Sequence, residues 1–290
     1  MNWFVLSLAA AYFFSTGDVL SKLLLRDNDE WTSGCAISLA SLPFLIPLLI
    51  VRETFLPSRE LILLVCILIP FEVFAYYLYL KAIRISPLSL SIPYLSFTPV
   101  FTILTAGILL GETIAFQGIV GILMVTVGAY VLNIELYVQH PLAPLKAAFQ
   151  SRGARYMLLV SLIWSLTSTL GKKGVQLSDP VFFGVFYMTC VSSAMLAIES
   201  WRLSRNAATV DLRGRNTIWL LLGGLATALA TMAHYHAIKL APVSYMMAVK
   251  RTSLIFSVLY GGLIFKEPHI RLRLLGASIM LSGVVVLYLA

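Results

Sequence analysis

The chain has 290 residues, of which 59% are hydrophobic and only 12% are charged, and its formal net charge is +8. This composition excludes an ordinary soluble domain and indicates a multi-span membrane protein. The positive charge does not indicate a nucleic-acid partner, because the 21 Lys and Arg residues are scattered over short loops between apolar stretches.

Apolar stretches long enough to cross roughly 30 Å of hydrocarbon as helices follow one another along the chain. They predict ten spans, at residues 3–25, 33–51, 60–80, 88–110, 114–134, 156–176, 181–201, 216–238, 243–265 and 271–289. The connections between these spans are too short for a soluble domain. We therefore predict an all-α integral membrane protein whose function lies within the bilayer.

The chain repeats itself at a fixed offset of 155 residues. The repeat pairs identical residues, among them Ala82 and Ala237, Pro87 and Pro242, Glu112 and Glu267, Gly121 and Gly276, and Gly128 and Gly283. Spans 3–5 match spans 8–10, and an offset of five spans inverts one copy relative to the other. We predict a 5+5 inverted-topology repeat, with five-helix units at residues 1–135 and 155–290 joined by a linker at 136–154.

Two inverted halves around one site can exchange conformations, so that one side closes as the other opens. This exchange is the physical basis of alternating access. The alternative explanation is a gene duplication that is retained only for packing.

Polar residues inside the spans fall on helical stripes, which recur in both halves. The stripes are Thr98, Thr102 and Thr105 in span 4, matched by Ser253, Ser257 and Tyr260, and Glu72, Tyr76 and Tyr79 in span 3, matched by Thr227, Thr231 and His234. Such stripes are expected to face the bundle interior or a water-filled cavity. For the hydroxyl groups alone, interhelical hydrogen bonding is the alternative.

Two adjacent cations, Lys250 and Arg251, lie inside span 9. Burial of either charge near the bilayer centre costs roughly 2.5 to 3.5 kcal/mol on insertion scales. Lys250 shares the face of Ser253, whereas Arg251 lies about 100° around the helix. We predict Lys250 as the cavity cation, with Arg251 ordering its surroundings or reaching a helix-end carbonyl. The alternative is that both side chains snorkel to the interface.

Two carboxylates complement these cations, and their roles stay open. Glu72 in span 3 is a counter-ion, a ligand for a cationic substrate group, or the carrier of a coupling proton. Asp18 in span 1 precedes Lys22 by four residues, which favours a local salt bridge, and it is the second candidate for proton coupling. His234 and His236 point to different faces of a helix, so we predict no metal site and no cofactor.

Prolines predict that the two central spans bend differently. Pro93 and Pro99 lie within span 4, where each removes a backbone hydrogen bond. Span 9 has Ala248 and Leu254 at the matching positions and no proline there, so different bends are expected. The alternative is that the prolines serve packing without a functional role.

The spacing of reactive residues does not indicate an enzyme. We find no Ser/His/Asp, Cys/His or metal-ligand pattern in the sequence. It also has no nucleotide-binding loop that would couple transport to ATP hydrolysis.

The distribution of Lys and Arg predicts the orientation of the chain. Loops that follow odd-numbered spans hold 14 of these residues, against 5 on the other side, with Lys250 and Arg251 inside a span. By the positive-inside rule, both termini are expected to face away from the cytoplasm in the cell membrane.

Several motifs carry a resemblance to a known family. They are the segment from Ala248 to Ser253 that runs on to Phe265–Glu267, the matching Leu110–Glu112, the glycines Gly121 and Gly276, and Trp164 with Lys173, matched by Phe13 and Lys22. In these features the whole chain resembles the drug/metabolite transporter superfamily, as two tandem EamA-type repeats.

The resemblance implies a ten-helix secondary carrier, with substrate near the midplane and spans 3, 4, 8 and 9 around the cavity. Members of the superfamily export amino acids, other metabolites or drugs, and distant relatives exchange nucleotide sugars or phosphorylated sugars. The pair Lys250 and Arg251 is similar to the anion-binding pair of the sugar-phosphate exchangers. Glu112 and Glu267, at the turns before spans 5 and 10, are expected to cap the following helix.

The leading hypothesis is a secondary transporter for a small polar metabolite with a negative group, which functions as a monomer in the lipid bilayer. Lys250 holds the substrate together with hydroxyl groups of Thr98, Ser253 and Tyr79. The other candidate lining residues are Arg251, Glu72, Tyr76, Tyr94, Trp164, His234 and Ser257. One alternative is proton-coupled export of amino acids or amines, through Glu72 or Asp18. An alternative from another class is a component of a lipid-linked sugar flippase.

Overall fold

The structure is a computed structural model that describes residues 2–24, 29–50, 56–85, 92–133, 151–205, 215–256, 259–260 and 270–290. Within these ranges the chain forms helices and no strand, so the all-α prediction is confirmed. The helices keep the numbers of the predicted spans: α1 Trp3–Leu24, α2 Glu30–Leu45, α3 Arg59–Ile85, α4 Thr98–Leu110, α5 Phe116–Asn133, α6 Arg152–Leu177, α7 Pro180–Arg205, α8 Arg215–Leu240, α9 Val243–Lys250 and α10 Ile270–Leu289.

Several of these helices are long and apolar enough to cross a membrane. In the described part of the chain they cover Trp3–Ser21, Trp31–Ile50, Arg59–Ala82, Pro180–Ser204 and Asn216–Leu240. Shorter apolar helices cover Tyr94–Leu110, Phe116–Val131 and Leu275–Leu289. Large apolar side chains such as Leu63, Ile67 and Phe74 point outward from α3, as expected for a lipid-facing surface.

The crossing of α5 and α10 shows the inverted repeat in atomic detail. Gly121 packs against the carbonyl oxygen of Gly283, and Gly128 packs against that of Gly276. Gly276 is the repeat partner of Gly121, and Gly283 is the repeat partner of Gly128. Gly121 therefore contacts the repeat partner of Gly128, and Gly128 contacts the repeat partner of Gly121. This reciprocal contact is the geometry of a two-fold axis between antiparallel helices.

The other helix contacts follow the same two-fold relation. The packing of α1 on α8 is mirrored by α6 on α3, that of α2 on α8 by α7 on α3, and that of α1 on α9 by α6 on α4. The helices thus form a first bundle of α1, α2, α8 and α9 and a second bundle of α3, α4, α6 and α7. Each bundle contains helices from both sequence halves.

Both central helices are interrupted at matching positions. A 3₁₀ helix, Ile92–Phe97, precedes α4, which becomes regular at Thr98. In α9, a turn at Arg251 and Thr252 interrupts the helix after Lys250. Phe97 and Thr252 are repeat partners, so the two interruptions lie at matching positions although they differ in form. The backbone of α9 is interrupted without a proline.

A polar network joins α2 and α7 where α2 begins. Arg202 donates a hydrogen bond to Asp29 over 2.9 Å and another to Glu199 over 3.0 Å, and the Thr32 hydroxyl donates to Glu199 over 2.6 Å. Partial burial by itself would raise the pKa of Asp29, but the hydrogen bond and the charge of Arg202 outweigh burial and lower that pKa.

Candidate functional site

The site is built around the interruption of α9. The backbone N–H of Arg251 donates to Ala248 O over 3.0 Å, and that of Thr252 donates to Val249 O over 3.0 Å. The Thr252 hydroxyl also donates to Val249 O, over 2.7 Å, so the side chain satisfies the carbonyl at the turn. Lys250 and Arg251 therefore project from the point where the regular helix stops.

Four charged side chains meet in the interior of the two bundles. Asp18 comes from α1, Glu72 from α3, and Lys250 and Arg251 from the end of α9; the charges act on one another through the low-dielectric interior. The Asp18 side chain is exposed, and those of Glu72, Lys250 and Arg251 are half-buried. These four side chains border the space between the two bundles, which we name the cavity.

Arg251 reaches from α9 to the beginning of α4. Its guanidinium Nη2 donates to the Thr98 hydroxyl over 2.7 Å, and that hydroxyl in turn donates to Leu95 O over 2.7 Å. The Thr98 hydroxyl is therefore engaged by protein groups on both sides. The buried Nε of Arg251 has no hydrogen-bond partner among the described residues.

Lys250 has a different environment. Its Nζ lies 4.6 Å from the centroid of the Phe14 ring, which is a cation–π distance. None of the ion pairs among the described residues includes Lys250. The ammonium group is therefore held by an aromatic face while its N–H donors stay available.

Glu72 contacts Tyr187 and Thr167, which the sequence patterns did not single out, and Trp164, which they did. The Tyr187 hydroxyl of α7 donates to the Glu72 carboxylate over 3.3 Å, and Thr167 and Trp164 of α6 lie beside it. Tyr187 and Thr167 lie on spans 7 and 6, outside the stripes predicted for spans 3, 4, 8 and 9. The aromatic segment Phe182–Tyr187 of span 7 was the available signal.

Aromatic rings form one wall of the cavity. Tyr76 and Tyr79 of α3 stack with ring centroids 6.4 Å apart, and Trp164 lies 5.6 Å from Tyr79. The Tyr76 hydroxyl occupies the space where any residue other than glycine at position 34 would place its Cβ atom. Gly34 of α2 is thus the cradle that allows Tyr76 to lie across the gap between α2 and α3.

His234 lies on α8 at the edge of the charged group, close enough for the charge of Lys250 to act on it. Its ring packs edge-on against Tyr235, with centroids 4.9 Å apart. The buried Nδ1 atom has no partner among the described residues, so it is available as a donor or an acceptor according to the tautomer.

The remaining predicted site residues are placed less favourably. Tyr94 is buried in an apolar cluster with Leu78, Met157 and Val160, against which Tyr79 and Trp164 also pack. Ser253 is buried directly after the interruption of α9, and Ser257 lies outside the described residues. Lys22, the proposed local partner of Asp18, has no described side chain. In the described part of the chain, no group of three His, Cys, Asp or Glu residues is placed to hold a metal ion.

Comparison with known proteins gives a family and a fold. The model of the EamA-like transporter family matches twice, at residues 1–134 and 151–289. An uncharacterized transporter in the cobO 3′ region of Sinorhizobium sp is 24% identical over 136 residues, which are 46% of this chain and 93% of that protein. A solved structure described as "Crystal structure of protein" has a TM-score of 0.80 at 15% identity, and the match covers 99% of this chain and 98% of that chain. At that identity the likeness concerns the fold alone.

Proposed function

Since this chain belongs to the EamA-like transporter family, we propose that it is a secondary transporter for a small polar metabolite with a negatively charged group. The family match supports membrane transport as such. The charge of the solute, the site and the transport cycle are our proposal, and the charged group at the interruption of α9 is its basis.

The basis for an anionic solute is that both cations at the end of α9 have unmet donors. The Lys250 ammonium lies over the Phe14 ring, and the Arg251 Nε–H has no hydrogen-bond partner among the described residues. Glu72, in contrast, already accepts a hydrogen bond from Tyr187. A ligand that satisfies these donors must supply acceptor oxygens, as a carboxylate or a phosphate does.

The proposed roles follow from these contacts. Lys250 and Arg251 bind the anionic group, and Thr98 holds the guanidinium plane in position. The wall of Tyr76, Tyr79 and Trp164 packs against the body of the solute.

The inverted repeat supports alternating access as the transport cycle. The two bundles are related by the two-fold relation of α5 and α10, so movement of one against the other converts an opening on one face into the equivalent opening on the other. The excess of Lys and Arg in loops after odd-numbered spans supports non-cytoplasmic termini in the cell membrane.

The experiment that tests this proposal is solute retention in proteoliposomes. Purified protein is reconstituted into vesicles loaded with a mixture of cell-derived metabolites, and mass spectrometry identifies the solutes that leave. We expect the wild-type protein to deplete one or a few anionic solutes and Lys250→Ala to retain them. Depletion that is equal in both proteins contradicts the assignment of Lys250.

A matched control keeps this comparison specific. Lys239→Ala removes an exposed lysine in the last turn of α8, five residues beyond His234. It is expected to deplete the same solutes as the wild type. Equal elution in size-exclusion chromatography and an equal thermal midpoint for all three proteins exclude misfolding as the cause.

A second candidate function is proton-coupled export through Glu72, which the hydrogen bond from Tyr187 favours. That bond fixes the carboxyl group beside the cavity without a direct ion pair among the described residues. A carboxyl held in this way can exchange a proton with the cavity. This candidate predicts that Glu72→Gln abolishes the pH dependence of transport. A transport rate that depends on pH as in the wild type would falsify it.

A further inference from the structure

A second ion pair lies at the ends of α4, α6 and α8, away from the charged group of the cavity. The Lys172 ammonium of α6 contacts the Glu112 carboxylate over 2.5 Å and donates to Ala241 O over 2.8 Å. The other Glu112 oxygen accepts the backbone N–H of Val243 over 2.9 Å. Only 13% of each charged side chain is exposed. The face of the molecule that carries these ends is named here the Glu112 face.

Glu112 does not cap the helix that follows it, which corrects the prediction from sequence. Gly111, with φ of 66°, ends α4 in the left-handed conformation, and the Glu112 N–H bonds back to Ala106 O. The side chain then extends to the first residue of α9, where the orphan N–H groups of a helix begin. Glu112 therefore caps a helix of the other sequence half. Its repeat partner Glu267 lies outside the described residues.

This contact joins the two bundles. Glu112 follows α4 and Lys172 lies on α6, so both carboxylate and ammonium belong to the second bundle. Ala241 and Val243 form the corner between α8 and α9, which belong to the first bundle. Separation of the bundles at the Glu112 face must break both hydrogen bonds to that corner.

The position of the contact along the helices places it over the cavity. Val243 precedes Lys250 by seven residues of α9, a rise of about 10 Å. Lys172 follows Thr167, which lies beside Glu72, by five residues of α6, a rise of about 8 Å. The ion pair thus lies one to two helical turns from the charged group, on the Glu112 face.

The chemistry of the contact suits repeated breaking better than permanent packing. Replacement of a largely buried ion pair by apolar side chains is often neutral or stabilising, so such a pair is weak support for the fold itself. Charged groups that separate into water regain their hydration, which lowers the cost of opening. An apolar contact of the same size has no such compensation.

We propose that Glu112 and Lys172 form a latch that closes the Glu112 face of the cavity in this structure and opens when the bundles separate. This inference rests on the alternating-access part of the proposed function. It goes beyond that function by naming the contact that one face must break. The nature of the solute does not enter it.

The test measures alkylation of a reporter cysteine directly behind the latch. Ser244 follows Val243, is 0% exposed, and its hydroxyl has no hydrogen-bond partner among the described residues. Ser244→Cys is placed in a background with Cys35, Cys66 and Cys190 replaced by serine. Right-side-out and inside-out vesicles receive a membrane-impermeant maleimide, so each face is probed in turn.

The latch predicts slow labelling of Ser244→Cys in the otherwise native protein. Lys172→Met and Glu112→Gln are expected to raise the rate from one face by about tenfold, because loss of the charged contact shifts the population towards the open state. Lys172→Arg keeps the charge and the donors and is expected to label slowly. Should Lys172→Met fail to fold, Glu112→Gln, which keeps the side-chain shape, carries the test. Unchanged labelling in a folded latch variant overturns the proposal.

A matched control and a second reporter separate the possible failures. Asp29→Asn removes the exposed ion pair with Arg202 and is expected to leave labelling of Ser244→Cys unchanged. Thr16→Cys reports from the other side of the cavity, where Thr16 bonds to Tyr260 over 3.0 Å. Faster labelling at Ser244→Cys with slower labelling at Thr16→Cys supports both the latch and alternating access. Faster labelling at Ser244→Cys alone supports the latch and overturns alternating access.

Discussion

Two pairs of repeat-related helices behave differently in this molecule. At the α5–α10 crossing, the glycines keep the internal symmetry and bring the two backbones into direct contact. At the α4–α9 pair, the backbone interruption is symmetric but the side chains are not. Lys250 has Leu95 as its repeat partner, and Arg251 binds Thr98 of the other half.

This difference indicates that the α5–α10 crossing supports the fold, whereas the α4–α9 pair forms the site. The α5–α10 crossing needs glycine at the same repeat positions of both helices, because the glycines of α5 pack directly against those of α10. The α4–α9 pair needs unequal residues, because a solute with a charged end is itself asymmetric. The symmetric region is expected to respond to substitution through stability, and the asymmetric region through transport.

The largest effect is expected at the crossing. In Gly128→Ala the new Cβ atom would lie 2.5 Å from Met280 N and 2.8 Å from Gly276 O, and backbone atoms cannot yield as side chains do. We expect a loss of about 3 kcal/mol or the loss of folded protein. Gly107→Ala is the control, since its Cβ atom meets only Glu112 O at 3.7 Å. The thermal midpoint in detergent measures both, and an unchanged midpoint for Gly128→Ala contradicts the close crossing.

Arg251→Lys tests the asymmetric α4–α9 pair. The substitution keeps the charge but removes the planar guanidinium whose Nη2 bonds Thr98. Transport of the solute identified in proteoliposomes is expected to fall about tenfold in kcat/KM, with the thermal midpoint little changed. Full activity in this variant would mean that charge alone matters at position 251.

Thr98→Val tests the residue that orients Arg251. A typical hydrogen bond contributes about 1 kcal/mol, so we expect roughly fivefold weaker transport. Thr98→Ser keeps the hydroxyl and is expected to restore most of it. Similar transport by the valine and serine variants contradicts the orienting role.

The smallest effect is expected outside both helix pairs, at Asp29 and Arg202. Since the folded pKa of Asp29 is lowered, its stabilising contribution is present above the unfolded pKa near 4 and is lost as the pH falls through the folded value. Both side chains are more than one third exposed, so solvent screening limits the contribution to below about 1 kcal/mol. Thermal midpoints of wild type and Asp29→Asn are compared at pH 7 and below pH 4, and we expect their difference to vanish in acid. A difference that grows in acid contradicts this assignment.

Much of the fold follows from the sequence because it depends on properties that recur along the chain. The 155-residue offset paired Gly121 with Gly276 and Gly128 with Gly283 as equivalent positions of an inverted repeat. The charges inside span 9 predicted a polar interior. These inferences need only helix geometry and the cost of burying charge in lipid.

The partners of individual side chains did not follow from the sequence. Glu112 looked like a local cap, but it reaches a helix 131 residues away along the chain. Tyr187 contacts Glu72 across two helices, and α9 is interrupted without proline at a turn stabilised by the Thr252 hydroxyl. Such contacts depend on how the two halves pack together, which residue spacing within one helix does not record.

The most direct test of the cationic site is the thermal midpoint of the purified protein against a panel of anionic, zwitterionic and cationic metabolites. A ligand that binds only the folded state raises the midpoint by mass action. We predict stabilisation by one class of anions in the wild type and in Lys239→Ala, and its loss in Lys250→Ala. Stabilisation by amines alone, or by anions equally in Lys250→Ala, would contradict the cationic site.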